Sequence, residues 1–120
     1  MNPKKRNQEK QNAGDQKSSA RRDEDPLNDI YIPKDLKDCF LQLDNLLSAG
    51  DKEQIKNLKD RSETIRYHFN LGLWIRNNWG LWRDSRLQKY FMDRKIFHPD
   101  DMSSLILENY YDWLNNRYRK

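Results

Sequence analysis

The chain has 120 residues, 35% of them hydrophobic and 35% charged, with 23 basic and 19 acidic side chains and a formal net charge of +4. That length argues for one domain, and the mild positive charge permits nucleic-acid contact without demanding it. A single cysteine excludes an internal disulfide framework and a cysteine-built zinc cluster, and no apolar run approaches the length of a membrane span.

Residues 1–29 carry Met1, Ala13, Ala20 and Leu27 as their apolar side chains and no aromatic, with seven basic and six acidic groups. Such a segment cannot bury enough apolar surface to offset its ordering entropy, so a disordered, charged tail is expected there. KKR at 4–6 and RR at 21–22 are spaced loosely like a bipartite nuclear import signal, but DED follows directly, and a solvated linker is the preferred reading. No apolar region follows the basic N-terminus, as a secretory signal would require, so a cytoplasmic location is the default. All fourteen aromatics fall in residues 30–120, the expected helical domain; of the net charge, the tail carries +1 and this part +3.

Pro33 opens the structured part. Leu36, Phe40, Leu43 and Leu47 recur at helical steps, and Cys39 and Leu46 widen the stripe, which predicts an amphipathic helix ended by Gly50 in a left-handed cap. Asp51 then begins DKEQ, where Asp51 caps and Gln54 reaches back, leading into a short helix through Ile55 and Leu58. Ser62 is the candidate cap of a helix over about 63–78, with Glu63 in its first turn. That helix has two apolar stripes, Ile65/Phe69/Leu73 and Leu71/Trp74/Ile75 extending toward Trp79, so it is expected to be central and covered on both sides. Gly72 inside it costs about 1 kcal/mol relative to alanine, which points to close packing against another helix. Gly80 is a natural terminator. Asp84 or Ser85 caps a fourth helix carrying Leu87, Tyr90 and Phe91.

In FHPDDMSS, His98 or its predecessor precedes Pro99 at a first helical position, with Asp100 and Asp101 at the positive helix end. The last helix carries Met102, Leu105, Ile106, Tyr110, Trp113 and Leu114, and Arg117, Arg119 and Lys120 sit toward its negative end. Neither period-two alternation nor a hairpin turn signal occurs. The expected fold is all-α, a single small bundle of about five helices preceded by the disordered tail.

The stretch WIRNNWGLWRDSR, residues 74–86, concentrates three tryptophans and three arginines. Trp74 shares a stripe with Leu71 and Ile75 and reads as core. Trp79 and Trp82 flank a glycine turn, where core clamps are favoured over a stacking surface. The functional reading takes Arg76, Trp79, Trp82, Arg83, Arg86 and Lys89 as a partner-binding surface; the plainer reading is solvated faces and ion pairs with Asp84, Asp93 or the acids of HPDD. His98 with Asp100 or Asp101 has the residue types of a general base and its orienting carboxylate, but helix capping accounts for the proline and both acids without a substrate. His68 is the only other histidine, and two histidines without a suitably spaced glutamate make no helical metal motif. Cys39 reads as a small buried hydrophobe. Four glycines hold no phosphate loop, nucleophile elbow or kinase motif, so neither a cofactor nor a metal is expected.

Taken in order, YIPKDLKDCFLQLDNLLS, YHFNLGLWIRNNWGLW, SRLQKYF and HPDDMSSLIL resemble a small uncharacterised bacterial domain family, a domain of unknown function. The resemblance covers about residues 31–115, matching at Tyr67, His68, Gly72, Trp74, Arg76, Asn77, Trp79, Gly80, Trp82, Ser85, His98, Asp100 and Asp101. It implies a bacterial or phage-borne intracellular helical domain and brings no activity with it. Arg83 and Asp84 depart from the two small residues expected before the serine. Among the matched polar residues, His68, Asn77, His98 and Asp101, with Arg76, are expected to meet near WGLW, as a buried network fixing the bundle or as a recognition site.

The expected function is a non-enzymatic protein-interaction module, an inhibitor, immunity or regulatory adaptor protein whose partner is another protein. The alternative is nucleic-acid binding through the basic tail and segment 74–89. A third, catalysis by His98 with Asp101 or His68, requires those groups to converge in a cleft.

Overall fold

The computed structural model describes residues 30–118, and the tail expected to be disordered, residues 1–29, lies outside them. The described residues form six helices: α1 (Leu36–Leu46), α2 (Ala49–Lys56), a 3-10 helix (Arg61–Tyr67), α3 (Leu71–Asn78), α4 (Arg86–Met92) and α5 (Pro99–Leu114). The expected all-α fold is the one observed.

Helix α1 starts where the Asp35 carboxylate accepts the Asp38 N–H at 2.9 Å, and its apolar stripe buries Cys39, Phe40 and Leu43. It ends at Leu47, in extended backbone, and not at Gly50. The Ser48 hydroxyl accepts the Asp51 N–H at 3.1 Å and starts α2, so Gly50 and Asp51 both lie inside α2. The sequence reading chose Asp51 as the cap; Ser48, equally suited, sits one turn earlier and takes the free N–H groups first.

The helix expected over 63–78 is two elements. Asp60 caps the 3-10 helix by accepting the Ser62 N–H, and Glu63 reaches back to accept the Lys59 N–H at 2.8 Å. The Glu63 N–H donates to the Asp60 carbonyl and the His68 N–H to the Ile65 carbonyl, each at 3.1 Å and three residues back. Those backbone i to i−3 bonds are the tighter winding, and the Thr64 hydroxyl adds a bond to the Arg61 carbonyl at 2.7 Å. Asn70 then restarts the chain, its side-chain oxygen accepting the Leu71 N–H at 2.6 Å. The break also corrects the expectation of a helix covered on both sides. Ile75 and Trp79 are buried, but Ile65, Phe69 and Leu73 are 66%, 84% and 44% exposed.

Gly80 ends α3 as expected, with φ +69° and the Leu81 N–H returning to the Arg76 carbonyl. Ser85 caps α4 by accepting the Gln88 N–H at 3.1 Å, and its hydroxyl also donates to the Trp79 carbonyl at 3.2 Å, tying this turn to the next helix. Pro99 opens α5 with Asp100 and Asp101 in its first turn.

Every other helix finds its main packing against α5. This 16-residue helix, about 24 Å long at 1.5 Å per residue, buries Met102, Ile106, Leu107, Tyr110 and Tyr111. Leu107 meets α3, Phe40 of α1 stands 6.2 Å from Tyr110 and 5.7 Å from Trp113, and the Tyr111 hydroxyl donates to the Leu58 carbonyl. Arg61 of the 3-10 helix lies 3.5 Å from Glu108 and 3.6 Å from Asp112. Cys39 is buried as expected, and burial pushes its thiol well above the ordinary range. Among the described residues no helix is long and apolar enough to cross a membrane.

Two glycine substitutions separate these roles. A Cβ on Gly80 would stand 2.8 Å from the Ser85 Cβ in left-handed backbone, whereas one on Gly50 meets nothing closer than 3.9 Å. Urea unfolding should show Gly80→Ala less stable by about 1–3 kcal/mol, and Gly50→Ala unchanged or more stable by up to about 1 kcal/mol.

Candidate functional site

Arg76 projects from α3 into the junction with α5 and is only 4% exposed. Its guanidinium spans three elements. Nη1 donates to the Ser103 hydroxyl of α5 at 2.9 Å, and Nη2 donates to the His68 carbonyl at the end of the 3-10 helix at 3.2 Å. Nε lies 3.4 Å from Asp100 Oδ1, an ion pair without hydrogen-bond alignment. His68 Nε2 approaches the same oxygen at 3.9 Å. Ser103 in turn donates to the Asp100 carbonyl at 3.1 Å. Gly72 belongs to this arrangement: a Cβ there would stand 3.1 Å from Arg76 Nη1, 3.3 Å from the Tyr67 carbonyl and 3.8 Å from Leu107. The close packing expected at Gly72 is therefore present, and it involves the arginine as well as the facing helix.

The polar set expected from the sequence is only partly assembled. His68 joins Arg76, but Asn77, His98 and Asp101 are exposed, and no side-chain contact among the described residues joins them to His68 or to each other. The reason is angular. Asn77 and Asp101 each follow a residue of the network, buried Arg76 and exposed Asp100, and one helical residue is a turn of about 100°. His98 is the backbone cap of α5 and makes no side-chain cap bond. Asp100 and Ser103 complete the network in place of the missing three. The signal for Ser103 was available, since it lies one turn after Asp100 on the same helical face.

The expected partner-binding set also divides. Arg76 is buried, with both terminal nitrogens hydrogen-bonded to protein groups, and Trp79 is core, 5.8 Å from Trp74 in an edge-to-face contact. Arg86 is held by the segment before α1: its Nε donates to the Ile32 carbonyl at 2.8 Å, and its guanidinium lies 5.2 Å over the Tyr31 ring. Arg76 and Trp79 therefore lie in the interior and not at the surface, and Arg86 is half-buried against protein groups. Trp82 is 60% exposed, Arg83 is exposed, and Lys89 is exposed and paired with Asp93 at 3.3 Å.

Tyr31 completes a second cluster. Its hydroxyl donates to Asp38 Oδ2 at 2.6 Å, and Asp38 also accepts from the Lys34 N–H at 3.0 Å and from Gln42 at 3.3 Å. Burial pushes the Asp38 carboxyl up, but the hydrogen bonds from Tyr31, Lys34 and Gln42 and the Arg86 charge outweigh it, and its pKa is lowered. The Tyr31 phenol is raised in return, chiefly by its hydrogen bond to Asp38.

The segment from the 3-10 helix into α3 leaves Ile65, Phe69 and Leu73 exposed. Phe69 packs edge-on against the His68 ring at 4.9 Å, and Ile65 and Leu73 lie four residues to either side in sequence. Sequence periodicity found these three residues and assigned them to the core. Among the described residues no group of histidine, cysteine and acidic side chains is arranged to hold a metal ion.

Two measurements follow from the clusters. Arg76→Met should lower stability by about 1–3 kcal/mol in urea, because it leaves the His68 carbonyl unpartnered while Ser103 keeps its bond to Asp100. Asp38 has a lowered folded pKa, so its stabilising contribution is complete above the ordinary carboxylate value and is lost as pH falls through the lowered one. Tyr31→Phe removes the leading favourable bond, and the loss of stability as pH falls below the ordinary carboxylate value should become shallower than in the unsubstituted chain.

No curated protein and no solved structure matches the chain. The model of one family, described as Domain of unknown function (DUF6794), matches residues 32–114, from the strapped segment before α1 to the last residue of α5. Because that match spans more than half of its length, the chain belongs to this family of domains of unknown function.

Proposed function

We propose that this chain is a non-enzymatic protein-binding module that docks through Ile65, Phe69 and Leu73 onto a partner protein presenting an apolar groove edged by acidic side chains. The observation that carries the reading is the 84% exposure of Phe69 in a chain that buries its other three phenylalanine positions more deeply. A large apolar ring left in water, with Ile65 and Leu73 of the same segment also exposed, is costly in a folded monomer, and exposed apolar surface of this kind marks interaction sites. The acidic rim follows from charge: Arg66, exposed and paired with Glu63 at 3.3 Å, adjoins Ile65, and residues 30–120 carry a net +3. The same reading takes the chain as a bacterial, cytoplasmic inhibitor, immunity or regulatory adaptor protein, with the YHFNLGLWIRNNWGLW and HPDDMS blocks as its family signature. The resemblance of those blocks supports this part.

Nucleic-acid binding loses support from the placement of Arg76 and Arg86, which are engaged inside the protein. The test is capture with the full chain from nuclease-treated lysate, followed by titration of the purified partner against the unsubstituted chain and Phe69→Asp. A partner that survives nuclease and binds Phe69→Asp at least about a hundredfold more weakly is the expected result, matching a central anchor's contribution. Capture lost on nuclease treatment would move nucleic acid to the front. Equal binding by Phe69→Asp, or self-association that the substitution abolishes, would remove this docking face as the site for a different protein.

A further inference from the structure

At the opposite end of α5 from Arg76, an open cleft of about 540 Å³ is lined by Asp44, Trp113, Leu114, Asn116 and Tyr118. Its volume is within the range of small-ligand sites. Two of its walls are aromatic and both are positioned by one core ring. Trp113 stacks on Phe40 at 5.7 Å, and Tyr118 meets Phe40 edge-on at 4.9 Å. Rings held in this way need no ordering when a ligand arrives.

Among the described residues that line the cleft, Asp44 is the one charged side chain and supplies a carboxylate. The end of α5 brings the negative pole of the helix; no basic residue lies in its last turn, and Arg117 follows three residues after Leu114. The Tyr110 phenol, buried close to Asp44, is raised first by burial and then by Asp44, through its charge and a hydrogen bond. Asp44 does have a cation nearby, Lys52, but the pair is loose at 3.5 Å, and the ammonium hydrogen-bonds to the Asp44 carbonyl instead. Aromatic faces, a carboxylate and a helix C-terminus together complement a cation and disfavour an anion.

We propose that this cleft binds an organic ammonium group, with Asp44 as its counter-ion and the rings of Trp113 and Tyr118 as cation-binding walls. The site is independent of the docking face above, since it draws on different residues at the other end of α5. A free alkylamine and the lysine side chain of a peptide share this chemistry.

The experiment is a ¹H–¹⁵N NMR titration of the full chain at constant ionic strength, reading the Trp113 indole N–H, assigned through Trp113→Phe, and the Asn116 amide. The probes are butylammonium, tetramethylammonium and Nα-acetyl-lysine amide, with butyrate as the anionic control. Saturable shifts with the three ammonium probes are expected, weakened about fivefold in Asp44→Asn. Lys52→Gln removes the competing ammonium and should tighten binding, so the proposal does not rest on one variant. Tighter binding of the acetyl-lysine amide than of butylammonium would identify a peptide source, and the reverse order a free amine. Shifts that do not saturate, that butyrate reproduces, or that Asp44→Asn leaves unchanged would overturn the site.

Discussion

A guanidinium removed from water is the constraint around which this domain is arranged. Burying a charge costs several kcal/mol unless its donors are engaged, and Arg76 lies at the N-terminal end of α5, where the helix dipole is itself positive. Asp100, in the first turn of that helix, supplies the compensating charge; Ser103 and the His68 carbonyl take two of the remaining donors. The His68 carbonyl is available because the chain is not one continuous helix there: in an unbroken α-helix it would accept from Gly72. Gly72 in turn has no side chain because the guanidinium occupies that space. The helix break, the glycine and the acidic start of α5 are three consequences of one buried charge.

The buried charge also reaches the surface. The backbone of His68 is held from inside by Arg76, its ring lies near Asp100, and Phe69 stands edge-on to that ring. An exposed phenylalanine on a free loop would lose much of its binding value to side-chain and loop ordering. Here the residue before it is tethered to a fixed point between α3 and α5.

Much of the fold was legible in the chain. The stripe of α1, the proline–aspartate start of α5, the Ser85 cap and the Gly80 terminator each rest on local chemistry that a few neighbouring residues determine. The division at 68–70 was less visible, because the apolar period runs through it unchanged from Ile65 to Ile75. Asp60 followed by Glu63, and Asn70 before Leu71, were the local signals of two helix starts, outweighed by that period. Periodicity also says that a face is apolar without saying that something covers it, which is why Ile65, Phe69 and Leu73 were assigned inward. Arg76 was misplaced for a related reason: its burial depends on Ser103 and Asp100, which lie more than twenty residues away. The cleft below Asp44 had no sequence signal, since Asp44 and Trp113 belong to helices far apart along the chain.

The central position of α5 bears on how the molecule comes into being. Synthesis proceeds from the N-terminus, so α1 to α4 emerge before the helix against which each of them packs. Their apolar stripes have little to bury against one another, and isolated helices of seven to eleven residues are marginal in water. Until residues 99–114 have cleared the ribosome, the nascent domain is an uncovered hydrophobic chain, exposed to chaperones and proteases alike.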